Sequence, residues 1–235
     1  MFSIADKLKN VRSRIQKATI SAQRLKGSVD LLPVSKKHPA EVVLEAYAEG
    51  CSAFGENYVS EALDKQDEVA RLAPDIAPTI AWHFIGPVQS NKTRLIAENF
   101  DWVQSLDREK IAIRLNGQRP DSLPPLKVCI QVNIDDESTK SGISLQELDA
   151  FSKFVDQLPR LCLRGLMTIP NASADDEALA ASMAALNLAF ERLKAQYSSV
   201  DTLSMGMSSD IDIAIQNGST MVRVGTAIFG ARYKT

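Results

Sequence analysis

Residues that build disulfide frameworks and metal centres are scarce in this chain. Its three cysteines, Cys51, Cys129 and Cys162, are odd in number and far apart. They form neither a disulfide framework nor a Cys-x-x-Cys motif, which suits a reducing compartment, and each reads as a small buried hydrophobe. His38 and His83 are the only histidines. With no clustered cysteine or carboxylate spacing beside them, no metal site is expected. Long apolar runs are missing too. No stretch approaches 18 apolar residues, and Met1 to Ile15 is broken by Asp6, Lys7, Lys9, Arg12 and Arg14, which excludes a secretory signal and a membrane span. A cytoplasmic location is expected. Nor is there an excess of positive charge: 27 Lys and Arg against 29 Asp and Glu give a net charge of −2, so no overall field draws in nucleic acid or an anionic membrane.

What is present is an ordinary globular composition, 45% hydrophobic and 24% charged over 235 residues, sufficient for a sizeable core. No Gly/Ser-rich or Pro-rich linker divides it, Pro120 to Pro125 being a helix-to-strand loop. Residues 1–235 are expected to form one domain.

Ile4, Leu8, Val11 and Ile15 recur at helical spacing among charges, so the chain opens with an extra amphipathic helix. Val29 to Ser35 is a continuous apolar run, as expected for a strand of a parallel sheet covered on both faces. Pro33 cannot donate to a ladder, so its position must be a bulge or a place where that hydrogen bond is absent. The pattern then alternates. Helices are expected at Pro39–Glu49, Tyr58–Leu72, Asn91–Asn99, Arg108–Asn116, Leu145–Leu158, Glu177–Tyr197 and Asp210–Gln216. Strands are expected at Ser52–Gly55, Ile80–Ile85, Trp102–Ser105, Leu126–Ile134, Leu161–Thr168, Thr202–Met205 and Met221–Val224. Counting the first, that makes eight strands, which suits a closed (β/α)8 TIM barrel better than an open doubly wound sheet.

In such barrels the working residues sit at the C-terminal ends of strands, and phosphates are commonly held after strands 7 and 8. Ser204 to Asp210 follows strand 7, and Arg223 to Ala227 spans the end of strand 8. Both are small-residue turns leading into helix, where exposed N–H groups and the hydroxyls of Ser208, Ser209 and Thr226 can cradle a phosphate. Each turn alone is also explained by a helix cap at Ser208 or Asp210, or by a tight turn at Gly225. Leu32, Val34 and Lys36 share one face of strand 1, which closes against strand 8 and so brings Lys36 beside the cradle. A lysine there either pairs with a sugar-phosphate substrate or forms a Schiff base with pyridoxal phosphate (PLP). Arg223 bears on the choice, because the PLP ring nitrogen needs a protein partner and an arginine keeps it unprotonated. Glu56 and Asn57 end strand 2, where polar residues face a ligand, although Asn57 also suits a helix N-cap. His83 is either a satisfied core histidine or a cofactor neighbour. Met205 and Met207 suit packing, and Asp135, Asp136, Glu137 and Lys140 suit a solvated loop or a lid.

The segments LLPVSK (Leu31–Lys36), FGENYV (Phe54–Val59), WHFIGPVQSNK (Trp82–Lys92), RGLMTIP (Arg164–Pro170), LSMGMSSD (Leu203–Asp210) and GSTMVRVGTAIFGAR (Gly218–Arg232) resemble, in order and over essentially the whole chain, the pyridoxal phosphate homeostasis protein family, the bacterial YggS and eukaryotic PROSC group. The resemblance implies one barrel of the alanine-racemase N-terminal-domain type, a fold type III PLP protein, with PLP as an aldimine on Lys36. It implies that Ser208, Gly225 and Thr226 hold the phosphate, that Arg223 meets the ring nitrogen, and that Asn57, His83 and Met205 line the ring pocket. Pro33 departs from the small apolar residues usual there.

Racemases of the related fold take a second acid–base group from an additional domain and a partner subunit. This chain ends at Thr235, ten residues after Gly225. A monomeric protein that binds, buffers and passes on PLP, touching PLP-dependent apoenzymes transiently, is therefore expected over a weak PLP-dependent racemase using Lys36 alone. A sugar-phosphate lyase or isomerase is the third reading.

Overall fold

A computed structural model describes residues 3–135, 141–171 and 175–230. Helix α1 (Ile4–Ser21) comes first, started by a capping box in which Ser3 and Asp6 satisfy each other's end groups. Strands β1 (Asp30–Pro33), β2 (Ala53–Glu56), β3 (Ala81–Phe84), β4 (Trp102–Leu106), β5 (Leu126–Gln131), β6 (Leu161–Met167), β7 (Thr202–Ser204) and β8 (Met221–Val224) then alternate with helices. These are α2 (Ala40–Ala48), α3 (Val59–Leu72), α4 (Thr93–Asn99), α5 (Glu109–Gln118), α6 (Leu148–Asp156), α7 (Asp176–Gln196), α8 (Ile211–Gln216) and the short α9 (Thr226–Phe229). All strand pairs are parallel, in the order β1-β8-β7-β6-β5-β4-β3-β2. The eight parallel strands and their helices form the (β/α)8 TIM barrel that the alternation predicts.

Closure between β1 and β2 rests on one bridge, Val34 with Gly55, and one bond, Ser35 N–H to the Gly55 carbonyl at 3.1 Å. Pro33 explains why that seam is short. Asp30 and Val34 donate to β8, at Thr220 and Val224. Odd-numbered residues of the strand therefore turn their nitrogens to β2, and at Pro33 there is no hydrogen to give. The proline sits within a central strand, at the position where its missing N–H interrupts only the weaker seam.

Both faces of the sheet are covered. Leu32, Val34, Ile85 and Met221 meet in the lumen. A Cβ on Gly55 would stand 3.2 to 3.4 Å from Ile85, Val34 and Leu32, so a larger residue there would push these lumen side chains aside by a few tenths of an ångström. Outside the barrel, Phe54, Phe84 and Phe100 are fully buried under the helix ring. The expected strand Leu126–Ile134 leaves the ladder after Gln131, because Val132 pairs instead with Ile143 in an isolated bridge. Helix α6 begins at Leu148 rather than Leu145, since Glu147 turns back to accept from the backbone and hydroxyl of Ser144. Of the proposed loop or lid, Asp136, Glu137 and Lys140 lie outside the described residues. Asp135 accepts from the Asn171 amide and the Ser182 hydroxyl, which ties the strand-5 loop to α7.

Candidate functional site

At the C-terminal ends of the strands, a cavity of about 210 Å³ is lined by Asn57, Ile85, Pro87, Gln131, Ser141 and Ile169. Lys36 stands half-buried on the turn that leaves β1, two residues past the lumen residue Val34. That turn is braced from α3. Lys65 Nζ donates to the Ser35 carbonyl at 2.7 Å and to Glu56 Oε1 at 2.5 Å, and Ser35 Oγ donates to the same carboxylate oxygen at 2.6 Å. Glu61, one helical turn before Lys65, accepts from Lys65 and from the backbone N–H of Lys37, which is held at φ 61°. Burial pushes the Glu56 carboxyl above its ordinary range, while the ammonium of Lys65 pulls the other way. Glu56 thus points into the layer between barrel and helices, and does not face the mouth as its place at the strand end suggested. Lys65, which on sequence reads as a solvated helix residue, is 95% buried beneath the Lys36 turn.

Asn57 takes the next position and points to the mouth. It does not cap α3, whose first turn has no side-chain cap, and its Oδ1 is buried with no partner. Such an orphan acceptor is costly unless a ligand or water supplies a donor.

Arg223 enters the lumen from β8. Its Nη1 donates to the carbonyl and hydroxyl of Ser204, and its Nη2 to the carbonyl of Thr168, all at 2.8 Å. All three acceptors are neutral, and burial lowers its pKa to about 10, so the guanidinium keeps its charge at neutral pH.

After β7 and β8 the two expected turns lie side by side. Gly225 lies against Val34, its Cβ position 3.2 Å from the Val34 carbonyl oxygen, which places the strand-8 turn beside the strand that carries Lys36. Among the described residues, the backbone N–H groups of Ser208, Ser209, Thr226 and Ala227 have no acceptor. Asp210 caps its turn by accepting from the Met207 N–H and the Ser209 hydroxyl, which leaves Ser208 unengaged by the cap. Arg14, from the distant helix α1, holds the outer side of the turn through the Ser208 and Ser209 carbonyls. Nothing in the sequence around Arg14 signals this role.

Two expected pocket residues are placed elsewhere. Met205 belongs to the core between sheet and helices, because alternation along β7 sends Leu203 and Met205 outward and Ser204 inward. His83 lies in the lumen, stacked on Trp102 with centroids 4.9 Å apart, and lines a different cavity of about 630 Å³ at the N-terminal end of the barrel. Its pKa falls to about 3 through burial, with Lys127 adding to the effect. The structure therefore places Lys36, Asn57, Ser208, Gly225 and Thr226 at the C-terminal ends of the strands and Arg223 in the lumen below them; of the eight expected residues, Asn57 lines the cavity there, Met205 packs between sheet and helices, and His83 lines the cavity at the other end. Burial raises the Cys129 thiol to about 12, as fits a packing residue. Among the described residues, no cluster of His, Cys, Asp or Glu could hold a metal ion.

The chain is similar to known proteins over nearly its whole length. The family model of the alanine racemase N-terminal domain matches residues 7–233. The chain is 50% identical to the pyridoxal phosphate homeostasis protein of Vibrio cholerae, over 99% of this chain and 98% of that protein. It is 52% identical to the protein of that name from Pseudomonas aeruginosa, over 99% and 97%. Among solved structures, PipY of Synechococcus elongatus with PLP bound is 36% identical and superposes with a TM-score of 0.82, covering 97% of this chain and all of that one. Alanine racemase from E. faecalis shares the fold at a TM-score of 0.69 and 17% identity, with 97% of this chain matching 58% of the racemase.

Proposed function

Since the chain belongs to the pyridoxal phosphate homeostasis protein family, we propose that the barrel mouth is its PLP site and that the protein binds, buffers and hands on this cofactor. The residues present fit the group. Four unpartnered amides on two adjacent turns match a phosphate, and the orphan Oδ1 of Asn57 awaits a donor at the cavity wall. When bound, PLP supplies an aldehyde that an amine can hold and a ring that withdraws electrons.

Each residue has a role in that binding. The amides of Ser208, Ser209, Thr226 and Ala227, with the Ser208 and Thr226 hydroxyls, hold the phosphate. Lys36 supplies the amine that holds the aldehyde, and the Glu56, Glu61 and Lys65 brace fixes the turn on which it stands. Arg223, a donor at every nitrogen, leaves the ring nitrogen without a proton. Asn57, at the end of β2, stands on the other side of the Lys36 turn from strand 8.

One observation favours a carrier over a racemase: among the described residues, the cavity at the C-terminal ends of the strands is lined by no titratable side chain. Racemisation needs a donor and an acceptor on the two sides of the substrate carbon. We place the carrier in the cytoplasm as a monomer that meets PLP-dependent apoenzymes transiently. Visible spectra test the site: adding PLP should colour the protein, and Lys36→Ala should abolish the borohydride-stable adduct. An adduct that persists in the variant refutes the assignment. Proton exchange tests the carrier reading, since rapid exchange of amino-acid Cα protons in deuterated water, lost in Lys36→Ala, would make the protein an enzyme.

A further inference from the structure

The larger of the two cavities, at the end of the barrel away from Lys36, is joined to the mouth by a line of buried polar groups. Arg223 Nη1 donates to Ser204 Oγ at 2.8 Å, and Ser204 Oγ donates to Gln104 Oε1 at 2.7 Å. The Gln104 amide then meets His83 Nδ1 at 3.0 Å. All four side chains are at least 95% buried. In the arrangement found, Ser204 gives its hydrogen to Gln104 Oε1, and the Gln104 NH2 faces both His83 Nδ1 and, at 3.2 Å, the Met221 sulfur, which has no hydrogen to give an amide oxygen. His83 Nδ1 is therefore an acceptor, and the ring carries its proton on Nε2.

That Nε2–H has no partner among the described residues and is not one of the fully enclosed orphan atoms: the ring, 97% buried as a residue, lines the cavity of about 630 Å³. A donor on a cavity wall is matched by an acceptor in the cavity. The surroundings select its charge. Arg12, whose guanidinium donates to the Glu49 carbonyl and the Cys51 sulfur, and Lys26 line the same cavity and form no ion pair among the described residues, against one carboxylate, Asp30, which starts β1. Lys127 and Arg164 both lie over the Trp102 indole, 5.4 and 5.1 Å from its centroid, and Lys127 adds positive potential at His83. Asp201 is engaged by Arg164. Leu32, Met221 and Trp102 supply apolar walls.

We propose that this cavity is a second small-molecule site, for a compact organic carboxylate with an apolar body, whose carboxylate accepts the His83 Nε2–H. Its occupancy is transmitted to Arg223, because an anion on Nε2–H strengthens each donor–acceptor pair in a chain that runs one way. This second half rests on the role given to Arg223 above, while the site itself does not.

Benzoate is a suitable probe and benzyl alcohol its neutral counterpart. By calorimetry on the full-length protein, benzoate should bind, and benzyl alcohol should bind about tenfold more weakly, the scale of one hydrogen bond to a charge. His83→Phe keeps the aromatic stack but removes the donor, and should cost about tenfold as well. Lys26→Glu, on the rim, should weaken benzoate without touching the core, and decides the matter if His83→Phe fails to fold. No binding at millimolar benzoate, equal binding of the alcohol, or indifference to Lys26→Glu overturns the site. PLP-loaded protein should still bind benzoate, and competition between the two would move benzoate to the mouth and refute the assignment. Benzoate should also shift the visible band of the PLP-loaded protein, and Ser204→Ala should remove the shift. A shift that survives Ser204→Ala overturns the transmission. Protein that never colours with PLP refutes the mouth reading instead, and the benzoate titration stands by itself.

Discussion

Arg14 Nη1 donates to the carbonyl of Ser208 at 2.6 Å, across 194 residues of sequence. The same guanidinium reaches the Ser209 carbonyl at 3.3 Å and pairs with Asp212 through Nε at 2.8 Å and Nη2 at 2.6 Å. Two peptide planes of the strand-7 turn are thereby fixed with their carbonyls toward α1, and a fixed carbonyl fixes the N–H on the opposite edge of its plane. The N-terminal helix, additional to the eight β/α units, thus has a definite task at the strand-7 turn, which we propose holds the phosphate.

Arg14→Leu should therefore weaken PLP by about tenfold and pyridoxal, which lacks the phosphate, by less than about twofold, the scale of one charged hydrogen bond. Fluorescence titration with the two ligands separates this from general damage. Equal losses would mean that Arg14 supports only the fold.

Ser208→Ala with Thr226→Val removes two hydroxyls from the cradle and leaves its amides. PLP affinity should fall by about tenfold to a hundredfold while pyridoxal affinity holds. A parallel loss for both ligands would count against phosphate binding at these turns.

Lys65→Met leaves the buried Glu56 carboxylate without its cation. Urea unfolding at neutral pH should show a loss of about 3 to 5 kcal/mol. Joining it to Glu56→Gln should recover part of that loss, because the stranded charge is gone. No recovery would show that Lys65 acts through packing alone.

His83 is lowered to about 3, so in the folded protein it stays neutral where the unfolded chain binds a proton. Between pH 6.5 and about 3 the unfolded state holds more protons at this site, and stability falls as pH falls, by about 1.4 kcal/mol per unit. Unfolding at pH 6.5 and pH 5 should show a drop in the wild type that His83→Gln lacks, about 2 kcal/mol in size. Identical slopes would place the proton uptake elsewhere.

Much of the barrel was legible because its strands are short apolar runs set between helical periods. The position of Lys36 was legible for the same reason: Leu32, Val34 and Lys36 alternate, and closure of β1 on β8 brings that face to the turn at Gly225. Alternation, however, only sorts residues into two sets. In a parallel barrel both faces are buried and apolar, so the pattern does not say which set fills the lumen. Glu56 and Met205 fell on the helix side for that reason, and His83 on the lumen side but below the mouth.

Sequence alone determined the alternation of eight strands with helices, the small-residue turns after strands 7 and 8, and the lysine at the end of strand 1. These depend on neighbours a few residues apart, whose spacing is written in the chain. Only the tertiary structure decided that Lys65 braces the Lys36 turn, that Arg14 holds the strand-7 turn, and that His83 looks toward the far cavity. Those relations join residues distant in sequence, and they exist because packing forces buried polar groups to find partners wherever the fold brings one within reach.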